Sequence, residues 1–179
     1  MGLAGGDGSM SEGNLVLIVA VAENGVIGLN GEMPWKIKGD LKRFREMTLN
    51  HGVVMGRNTA ESLEKIRVFP LDDRLNVVVS TTKYYPDIDY NILSTGSLGF
   101  GLEQAMHYNR DRIAYVIGGG QIYAATIALP ETTKLEITKI HQSPEGDTYF
   151  PKGYLDRFTL AKTEEHHDKG YTFETWTRK

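Results

Sequence analysis

The apolar residues of this chain fall into short continuous runs over its first two thirds and into alternating patterns over its last third. A run without polar interruption is typical of a strand that is buried on both faces, as in a parallel sheet. Such runs occupy residues 15–22, 53–55 and 113–117, and further strands are predicted at residues 75–80 and 90–93.

Segments with helical periodicity separate these runs. Pro34 disfavours a helix at the residue before it, which predicts a loop there, and residues 37, 41, 44 and 48 then recur at helical spacing. Asn58, followed three residues later by Glu61, fits a capping pattern that starts a short helix. Further helices are predicted around residues 98–106 and at 121–129, where Pro130 ends the second. The alternation of strand and helix indicates a parallel sheet with helices on both faces.

The last third of the chain lacks this alternation. Residues 135–140, 158–164 and 171–177 indicate strands with no helix between them, and apolar residues alternate with polar ones in the last two. We interpret all three as antiparallel material at the edge of the parallel sheet, so the predicted fold class is α/β with an antiparallel C-terminal edge.

The composition is typical of one globular domain, with 179 residues, 40% of them apolar and 24% charged. We assign this domain to residues 10–179 and interpret the Gly-rich residues 1–9 as an expression leader. A formal net charge of −3 without any basic run disfavours nucleic acid and anionic membranes as partners. The absence of cysteine excludes disulfides and thiolate catalysis, and it indicates a reducing compartment such as the cytoplasm.

Asp40 lies near the start of the first predicted helix, at the margin of its apolar face and beside the loop that carries Met33 and Trp35. One interpretation is structural, because an acid in the first turn of a helix meets the positive end of the helix dipole. The other is a buried carboxylate that pairs with a cationic, hydrogen-bonding ligand. The second holds only if the rest of the chain builds a pocket around Asp40.

Three predicted strands end in glycine-bearing turns, at residues 22–28, 56–59 and 118–120. Ligands of open α/β sheets bind at the carboxyl ends of strands, and the backbone N–H groups of a helix start bind anions. Arg57, Ser80, Thr81 and Lys83 add cations and hydroxyl groups at the same end. This favours a dinucleotide, although Tyr123 stands where a Rossmann fingerprint has a small residue and a tight structural turn remains an alternative.

The adjacent residues His166 and His167 are the strongest metal candidate in the sequence. We place them on a late strand, where neighbouring side chains face opposite ways and do not easily share a site. No metal is therefore predicted.

Six motifs occur in the order that is typical of dihydrofolate reductases, and the chain resembles that family over residues 15–178. The motifs are IVAVAENGVIG, MPW, DLKRF, VMGRNT, VIGGGQIY and EGDTYFP. The resemblance implies a mainly parallel, twisted eight-stranded sheet with about four flanking helices. It also implies NADPH-dependent reduction of 7,8-dihydrofolate to 5,6,7,8-tetrahydrofolate, with hydride transfer to C6 and protonation of N5, in support of one-carbon and thymidylate metabolism.

The resemblance also implies roles for individual residues. Asp40 would accept hydrogen bonds from the 2-amino group and N3 of the pterin and support a proton that arrives through water, while the Met33 loop controls the access of that water. The implied catalytic residues are Met33, Trp35, Asp40, Tyr123 and Thr138. The implied substrate-binding residues are Ala20, Val21, Asp40, Leu41, Phe44, Leu63, Arg74, Ile117 and Thr138, with Arg74 on the glutamate carboxylate.

The resemblance implies NADPH rather than NADH, since Arg57 and Thr81 match groups that meet the adenosine 2′-phosphate. It further implies a cis peptide bond between Gly118 and Gly119 and a brace from Asp147 to the Met33 loop. The implied cofactor-binding residues are Ala22, Ile27, Gly28, Gly56, Arg57, Asn58, Thr59, Ser80, Thr81, Lys83, Ile117, Gly118, Gly119, Gly120, Gln121, Ile122 and Tyr123. The implied partners are dihydrofolate and antifolate inhibitors, and we expect a monomer.

Some positions depart from the family pattern. Gln121 stands where some members carry an arginine for the 2′-phosphate. This replacement weakens the implied preference for NADPH unless Lys83 compensates for it. Ala60 replaces a frequent tryptophan and leaves room beside the short helix. Asp72 and Asp73 precede Arg74 and repel an anionic tail.

Two rival functions stay open at this point. A pyrimidine reductase of riboflavin synthesis shares the fold and NADPH, but it does not need the Met-Pro-Trp loop followed by Asp40. A nucleotide-binding module without catalysis has no use for a pterin carboxylate.

Overall fold

The computed structural model describes residues 14–87 and 91–179. The proposed leader at residues 1–9 and the start of the strand predicted at residue 90 lie outside the described residues. The strands are β1 Asn14–Ala22, β2 Val26–Gly28, β3 Gly52–Gly56, β4 Leu75–Val79, β5 Ile92–Thr95, β6 Ile113–Gly118, β7 Thr132–Ile140, β8 Thr148–Tyr149, β9 Phe158–His166 and β10 Tyr171–Arg178. The α-helices are α1 Lys38–Thr48, α2 Arg57–Lys65, α3 Leu98–His107 and α4 Gly120–Thr126, and 3₁₀ turns lie at Tyr154–Asp156 and His167–Lys169.

Eight strands form one sheet in the order β5-β4-β3-β6-β1-β7-β10-β9, and β2 pairs with β8 in a separate ribbon. The pairs from β5 to β7 are parallel, and β10 is antiparallel to both β7 and β9. The predicted fold class, with four flanking helices in the described residues and an antiparallel C-terminal edge, is therefore confirmed.

The interpretation of residues 135–140 as antiparallel edge material is wrong. Strand β7 pairs in parallel with β1, in a register that runs from Leu15 to Ala22. The chain reaches β7 from β6 through α4, and a crossover through a helix returns the chain in the same direction. In the strand order β7 lies between β1 and β10, so it is an interior strand, and only its pairing with β10 is antiparallel.

The continuous apolar runs are buried on both faces of the sheet, as their composition predicts. Leu17, Val54 and Val116 belong to a core cluster on one face, and each is fully buried. Their neighbours Val16 and Val53 belong to a cluster on the opposite face. Adjacent strand residues point to opposite sides, so a run without polar residues supplies both clusters at once.

Two helix boundaries differ from the sequence predictions. Asn58 lies within α2, whose N-cap is Gly56 and makes no side-chain capping bond, so the capping interpretation of Asn58 is wrong. Helix α4 ends at Thr126, short of the predicted residue 129. The hydroxyl of Thr132 donates to the Thr126 carbonyl at 2.6 Å, which satisfies a terminal acceptor of the helix from outside. None of the helices in the described ranges is long and apolar enough to span a membrane.

Candidate active site

The carboxyl ends of β1, β3 and β6 meet at one edge of the sheet, because these three parallel strands are neighbours in the order β3-β6-β1. They end at Ala22, Gly56 and Gly118. Helix α2 follows β3 directly, and α4 follows β6 after one residue. The glycine-bearing turns singled out in the sequence therefore share one cleft edge, where open α/β sheets bind their ligands.

Asp40 faces β7 from the first turn of α1. The Thr138 hydroxyl, on a side chain that is almost fully buried, donates to Asp40 Oδ1 at 2.5 Å. Burial raises the pKa of Asp40, while the Thr138 hydrogen bond and the positive charge of Arg43 act in the opposite direction. A helix-dipole acid at the surface needs no such support, so the structural interpretation of Asp40 does not account for its surroundings.

Trp35 lies beside Asp40 in the sequence and is 7% exposed. It packs in a small core cluster with Ala22, Val26 and Tyr171. Its Nε1 is buried and has no hydrogen-bond partner among the residues that the structure describes. An unsatisfied buried N–H costs roughly 1–3 kcal/mol, so this nitrogen is a candidate donor to a water molecule or a ligand.

The loop that carries Met33 is tied down on two sides. The backbone N–H of Asn30 donates to Asp147 Oδ2 at 2.8 Å, and this bond is the largest cause that lowers the pKa of Asp147. On the other side, Ser62 Oγ of α2 donates to the Gly31 carbonyl at 2.6 Å. Met33 itself is 49% exposed. The Asp147 brace implied by the resemblance is therefore present, and the loop bridges the cleft from β8 to α2.

Tyr123 extends from α4 to the first strand. Its hydroxyl donates to the Ile18 carbonyl at 2.7 Å, and burial raises its pKa far above the ordinary value, with the charge of Asp40 adding to the rise. The phenol therefore stays neutral and acts as a donor. Ile18 was missed from the sequence, because the backbone carbonyls of one apolar run carry no sequence signal that separates them.

The remaining predicted substrate-binding residues lie on several elements. Phe44, Leu63 and Ile117 are half-buried and pack against the core cluster on the α1 side of the sheet. Ala20 and Val21 are half-buried near the end of β1, and Leu41 is exposed on α1.

The Arg74 guanidinium donates hydrogen bonds to two neighbouring oxygens. Its Nη1 donates to Thr48 Oγ1 at 3.0 Å and its Nε donates to the Asp72 carbonyl at 2.8 Å. The residue is 4% exposed, while Asp72 and Asp73 are exposed beside it. The guanidinium is thus fixed in one orientation, as a carboxylate clamp requires.

The predicted cofactor residues of α2 and of the loop after β4 are polar and exposed or half-buried. Arg57 forms an ion pair with Glu61 at 3.5 Å, and Lys83 lies 2.9 Å from Glu64 and 3.8 Å from Glu61. Ser80 Oγ accepts from the backbone N–H of Lys83 at 2.9 Å, which shapes the turn. A cavity of about 270 Å³ opens between residues 80–84 and 94–96.

The glycines at the end of β6 provide close backbone approach. Gly118 has φ +114°, a conformation that side chains rarely adopt, and its peptide bond to Gly119 is cis, as the resemblance implies. A Cβ on Gly120 would lie 3.3 Å from the Tyr149 carbonyl, and one on Gly119 would lie 3.5 Å from Thr59 Oγ1. A Cβ on Gly56 would lie 3.2 Å from Ile122. At these glycines the backbone therefore lies close to atoms of neighbouring elements, where a side chain would leave less room.

Other predicted cofactor residues lie on β1, β2, α2, α4 and the loop after β4. Ala22 is buried at the end of β1, Ile27 and Gly28 are half-buried in β2, Asn58 and Thr81 are exposed, and Gln121 is exposed in the first turn of α4. The arrangement fits a dinucleotide: the start of α2, the Thr59 and Ser80 hydroxyls, Arg57 and Lys83 supply anion-binding groups along one edge.

The comparisons with known proteins agree with this geometry. A sequence model of the dihydrofolate reductase family matches residues 14–178. The chain is 35% identical over 177 residues to the dihydrofolate reductase HdrB of Haloferax volcanii, covering 96% of this chain and 89% of the relative. It is 37% identical over 142 residues to the dihydrofolate reductase of Drosophila melanogaster, covering 75% and 78%. The chain belongs to the dihydrofolate reductase family. It is therefore an oxidoreductase that acts on dihydrofolate with a nicotinamide cofactor, and neither rival function is supported.

Two departures from the dihydrofolate reductase pattern can be placed in the structure. Ala60, which replaces a frequent tryptophan, is fully buried in a core cluster with Val53 and Met55, so the room expected beside α2 is filled by the protein itself. Gln121 is exposed and lies on α4, whereas Lys83 lies beside the 270 Å³ cavity.

The histidines form pairs with neighbouring groups. His166 and His167 lie 2.9 Å from Glu164 and 2.8 Å from Glu165, respectively, and His141 lies 2.8 Å from Thr172 Oγ1. The described part of the chain contains no group of three or more potential ligands that could hold a metal ion.

Proposed function

We propose that this enzyme reduces 7,8-dihydrofolate to 5,6,7,8-tetrahydrofolate with NADPH, and that Asp40 is the carboxylate that binds its pterin ring. The observation that carries the proposal is the hydrogen bond that the buried Thr138 hydroxyl donates to the half-buried carboxylate of Asp40. A buried carboxylate is costly unless it is paired, so the pocket selects a ring that offers N–H donors. The 2-amino group and N3 of a pterin provide two such donors.

The residues around Asp40 support a proton pathway through water. Trp35 Nε1 has no partner among the described residues, and we propose that it holds a water molecule on the route to N5 of the pterin. Asp40 favours the protonated ring, because a nearby negative charge stabilises the positive form. The Met33 loop, tied by Asp147 and Ser62, controls when water enters.

The substrate's remaining parts would meet residues that are already in place. Ala20, Val21, Leu41, Phe44, Leu63 and Ile117 would border the ring system, and Arg74 would bind the glutamate carboxylate. The Arg74 orientation is fixed before substrate arrives, which lowers the entropy cost of binding.

The cofactor proposal rests on the anion-binding groups along α2 and the 80–83 loop. When bound, NADPH supplies the hydride that reduces C6. Arg57, Thr81 and Lys83 would hold the 2′-phosphate, and the Asn58 and Thr59 backbone and hydroxyl groups would hold the other phosphates. Gly118, Gly119, Gly120, Ile122 and Tyr123 would border the nicotinamide end. Because the 2′-phosphate is absent from NADH, these groups favour NADPH.

The proposal is tested by the loss of NADPH absorbance in the presence of dihydrofolate. We expect rapid oxidation that a methotrexate-type inhibitor blocks and that is much slower with NADH. Rapid oxidation of both cofactors would contradict the 2′-phosphate assignment. No oxidation, with NADPH still bound, would contradict the proposed reaction.

A further inference from the structure

A second polar bridge runs beside the one at the active site. On α1, Asp40 and Arg43 are three residues apart and therefore lie on one face of the helix. On β7, Thr138 and Glu136 are two residues apart and lie on one face of the strand. Thr138 donates to Asp40, and Arg43 Nη2 donates to Glu136 Oε2. The helix and the strand are thus joined by two adjacent bridges, and the first contains Asp40.

The second bridge is buried and held by a third element. The side chains of Glu136 and Arg43 are 6% and 17% exposed. Thr175 of β10, the register partner of Glu136, donates its hydroxyl to Glu136 Oε2 at 2.8 Å. The guanidinium carbon of Arg43 lies 4.6 Å from the centre of the Phe173 ring, also on β10. Arg43 and Glu136 therefore have little freedom to move independently of the sheet.

Stability does not explain a buried ion pair at this position. Removing two charges from water is costly, and well-packed apolar side chains of similar size are often at least as stabilising. Arg43 Nη1 is buried and lacks a hydrogen-bond partner among the described residues, so Glu136 satisfies only part of the guanidinium. An apolar core at this position would leave no such unpaired group, and the neighbouring Asp40 offers a functional reason for the pair.

The titratable groups around the two bridges come from four elements. Arg43 of α1 acts to lower the pKa of Asp40, and Glu136 of β7 pairs with Arg43 and carries the opposite charge. Tyr123 of α4 and Tyr115 of β6 stay neutral, because burial raises the pKa of each phenol. Lys36 precedes α1 and Lys38 is its first residue, and both are exposed. Arg43 is therefore the cation that acts on the pKa of Asp40, and Glu136 is the carboxylate paired with that cation.

We propose that Arg43 and Glu136 are positioning residues for catalysis, which bias the ionisation of Asp40 in opposite directions without touching the substrate. The proposal rests on the role of Asp40 in turnover that is proposed above. It differs from a purely structural role in one respect. If the pair were only structural, altering either partner would change the pKa of Asp40 in the same direction. If the two opposed charges act on Asp40, altering Arg43 and altering Glu136 change that pKa in opposite directions.

The test compares Arg43→Met with Glu136→Gln in the full chain. The first measurement is the titration of the Asp40 carboxyl carbon by NMR in the free protein. We expect Arg43→Met to raise the pKa of Asp40 and Glu136→Gln to lower it, each by about one pH unit or less. Arg43→Lys, which keeps the charge, should leave the pKa close to that of the unaltered protein. The second measurement is the pH dependence of single-turnover hydride transfer, whose midpoint should move in the same directions.

Shifts of the same sign in Arg43→Met and Glu136→Gln, or no shift in either, would overturn the proposal. Arg43→Met leaves Glu136 buried without its partner and is the variant most at risk of misfolding. Glu136→Gln keeps the shape of the side chain and an acceptor oxygen, so this variant is sufficient for the test if Arg43→Met does not fold. A lowered pKa of Asp40 in Glu136→Gln supports the proposal, and an unchanged or raised pKa of Asp40 refutes it. Opposite NMR shifts with an unchanged pH profile would refute the proposed role of Asp40 and the catalytic part of this proposal.

Discussion

The two ends of the cleft are built differently. At the proposed substrate end, Asp40 accepts a hydrogen bond from a buried threonine, Trp35 is buried in a core cluster, and the Tyr123 hydroxyl donates to a strand carbonyl. At the cofactor edge, Arg57 and Lys83 are exposed to solvent and paired with Glu61 and Glu64. The protein itself holds the polar groups of the proposed substrate end by hydrogen bonds, whereas the cations of the proposed cofactor edge lie in ion pairs with which a phosphate would compete.

This difference predicts different sizes of effect. A buried charge that is held in one geometry contributes strongly, because water cannot substitute for its partner. An exposed ion pair contributes about 0–1 kcal/mol, because water and salt screen it. Substitutions at the substrate end should therefore change catalysis by orders of magnitude, and those at the cofactor edge should change affinity by about tenfold or less.

The largest expected effect is that of Asp40→Asn on turnover. The amide keeps the shape and can still accept from Thr138, but it removes the charge that favours the protonated pterin. We expect hydride transfer to fall about 10²-fold or more at neutral pH, with NADPH affinity unchanged, as measured by single-turnover kinetics and fluorescence titration. Asp168→Asn, an exposed acid in a 3₁₀ turn, is the matched control. Turnover equal to that of the control would remove Asp40 from the mechanism.

The next effect is that of Arg57→Met on NADPH binding. Losing one charge-assisted contact to a phosphate should raise the Kd for NADPH about tenfold and leave the Kd for NADH unchanged. Binding titrations with both cofactors measure it, and Arg110→Met, at an exposed arginine outside the cleft edge, is the control. An equal loss for NADH and NADPH would show that Arg57 meets a part that the two cofactors share.

A smaller effect concerns stability. Burial raises the pKa of Asp40 in the folded protein above its unfolded value. The stability that protonated Asp40 contributes is therefore complete below the unfolded pKa and is lost as pH rises through the folded pKa. At neutral pH the ionised carboxylate therefore destabilises the fold, and Asp40→Asn should raise Tm by a few degrees. Thermal unfolding at neutral and acidic pH checks this. The gain should disappear at acidic pH, and a lower Tm at neutral pH would contradict it.

The smallest effect is expected for Glu64→Gln. Removing this carboxylate frees Lys83 from its 2.9 Å ion pair, which should lower the Kd for NADPH about twofold to threefold. Glu103→Gln, at an exposed acid on α3, is the control. Weaker NADPH binding in Glu64→Gln would mean that Glu64 positions Lys83 for the phosphate rather than competing with it.

The sequence determined the strands, the alternation with helices and the location of the cleft. Uninterrupted apolar runs such as residues 15–22 have no other stable place than a doubly covered sheet, and glycines at their ends mark the turns. Asp40, Trp35 and the Gly118 turn could be singled out because each departs from the local pattern around it. The sequence order of six motifs then indicated the family.

Only the tertiary structure decided which groups meet. The direction of β7 depends on the crossover through α4, and the role of the Ile18 carbonyl depends on Tyr123, which is 105 residues away. Arg43 and Glu136 are 93 residues apart, and each alone has the sequence signature of a solvated charge. Local periodicity records which way a residue faces, but it contains no information about the partner on the other element. The fold's layers therefore follow from the sequence pattern, whereas the electrostatics around Asp40 follow from contacts between distant elements.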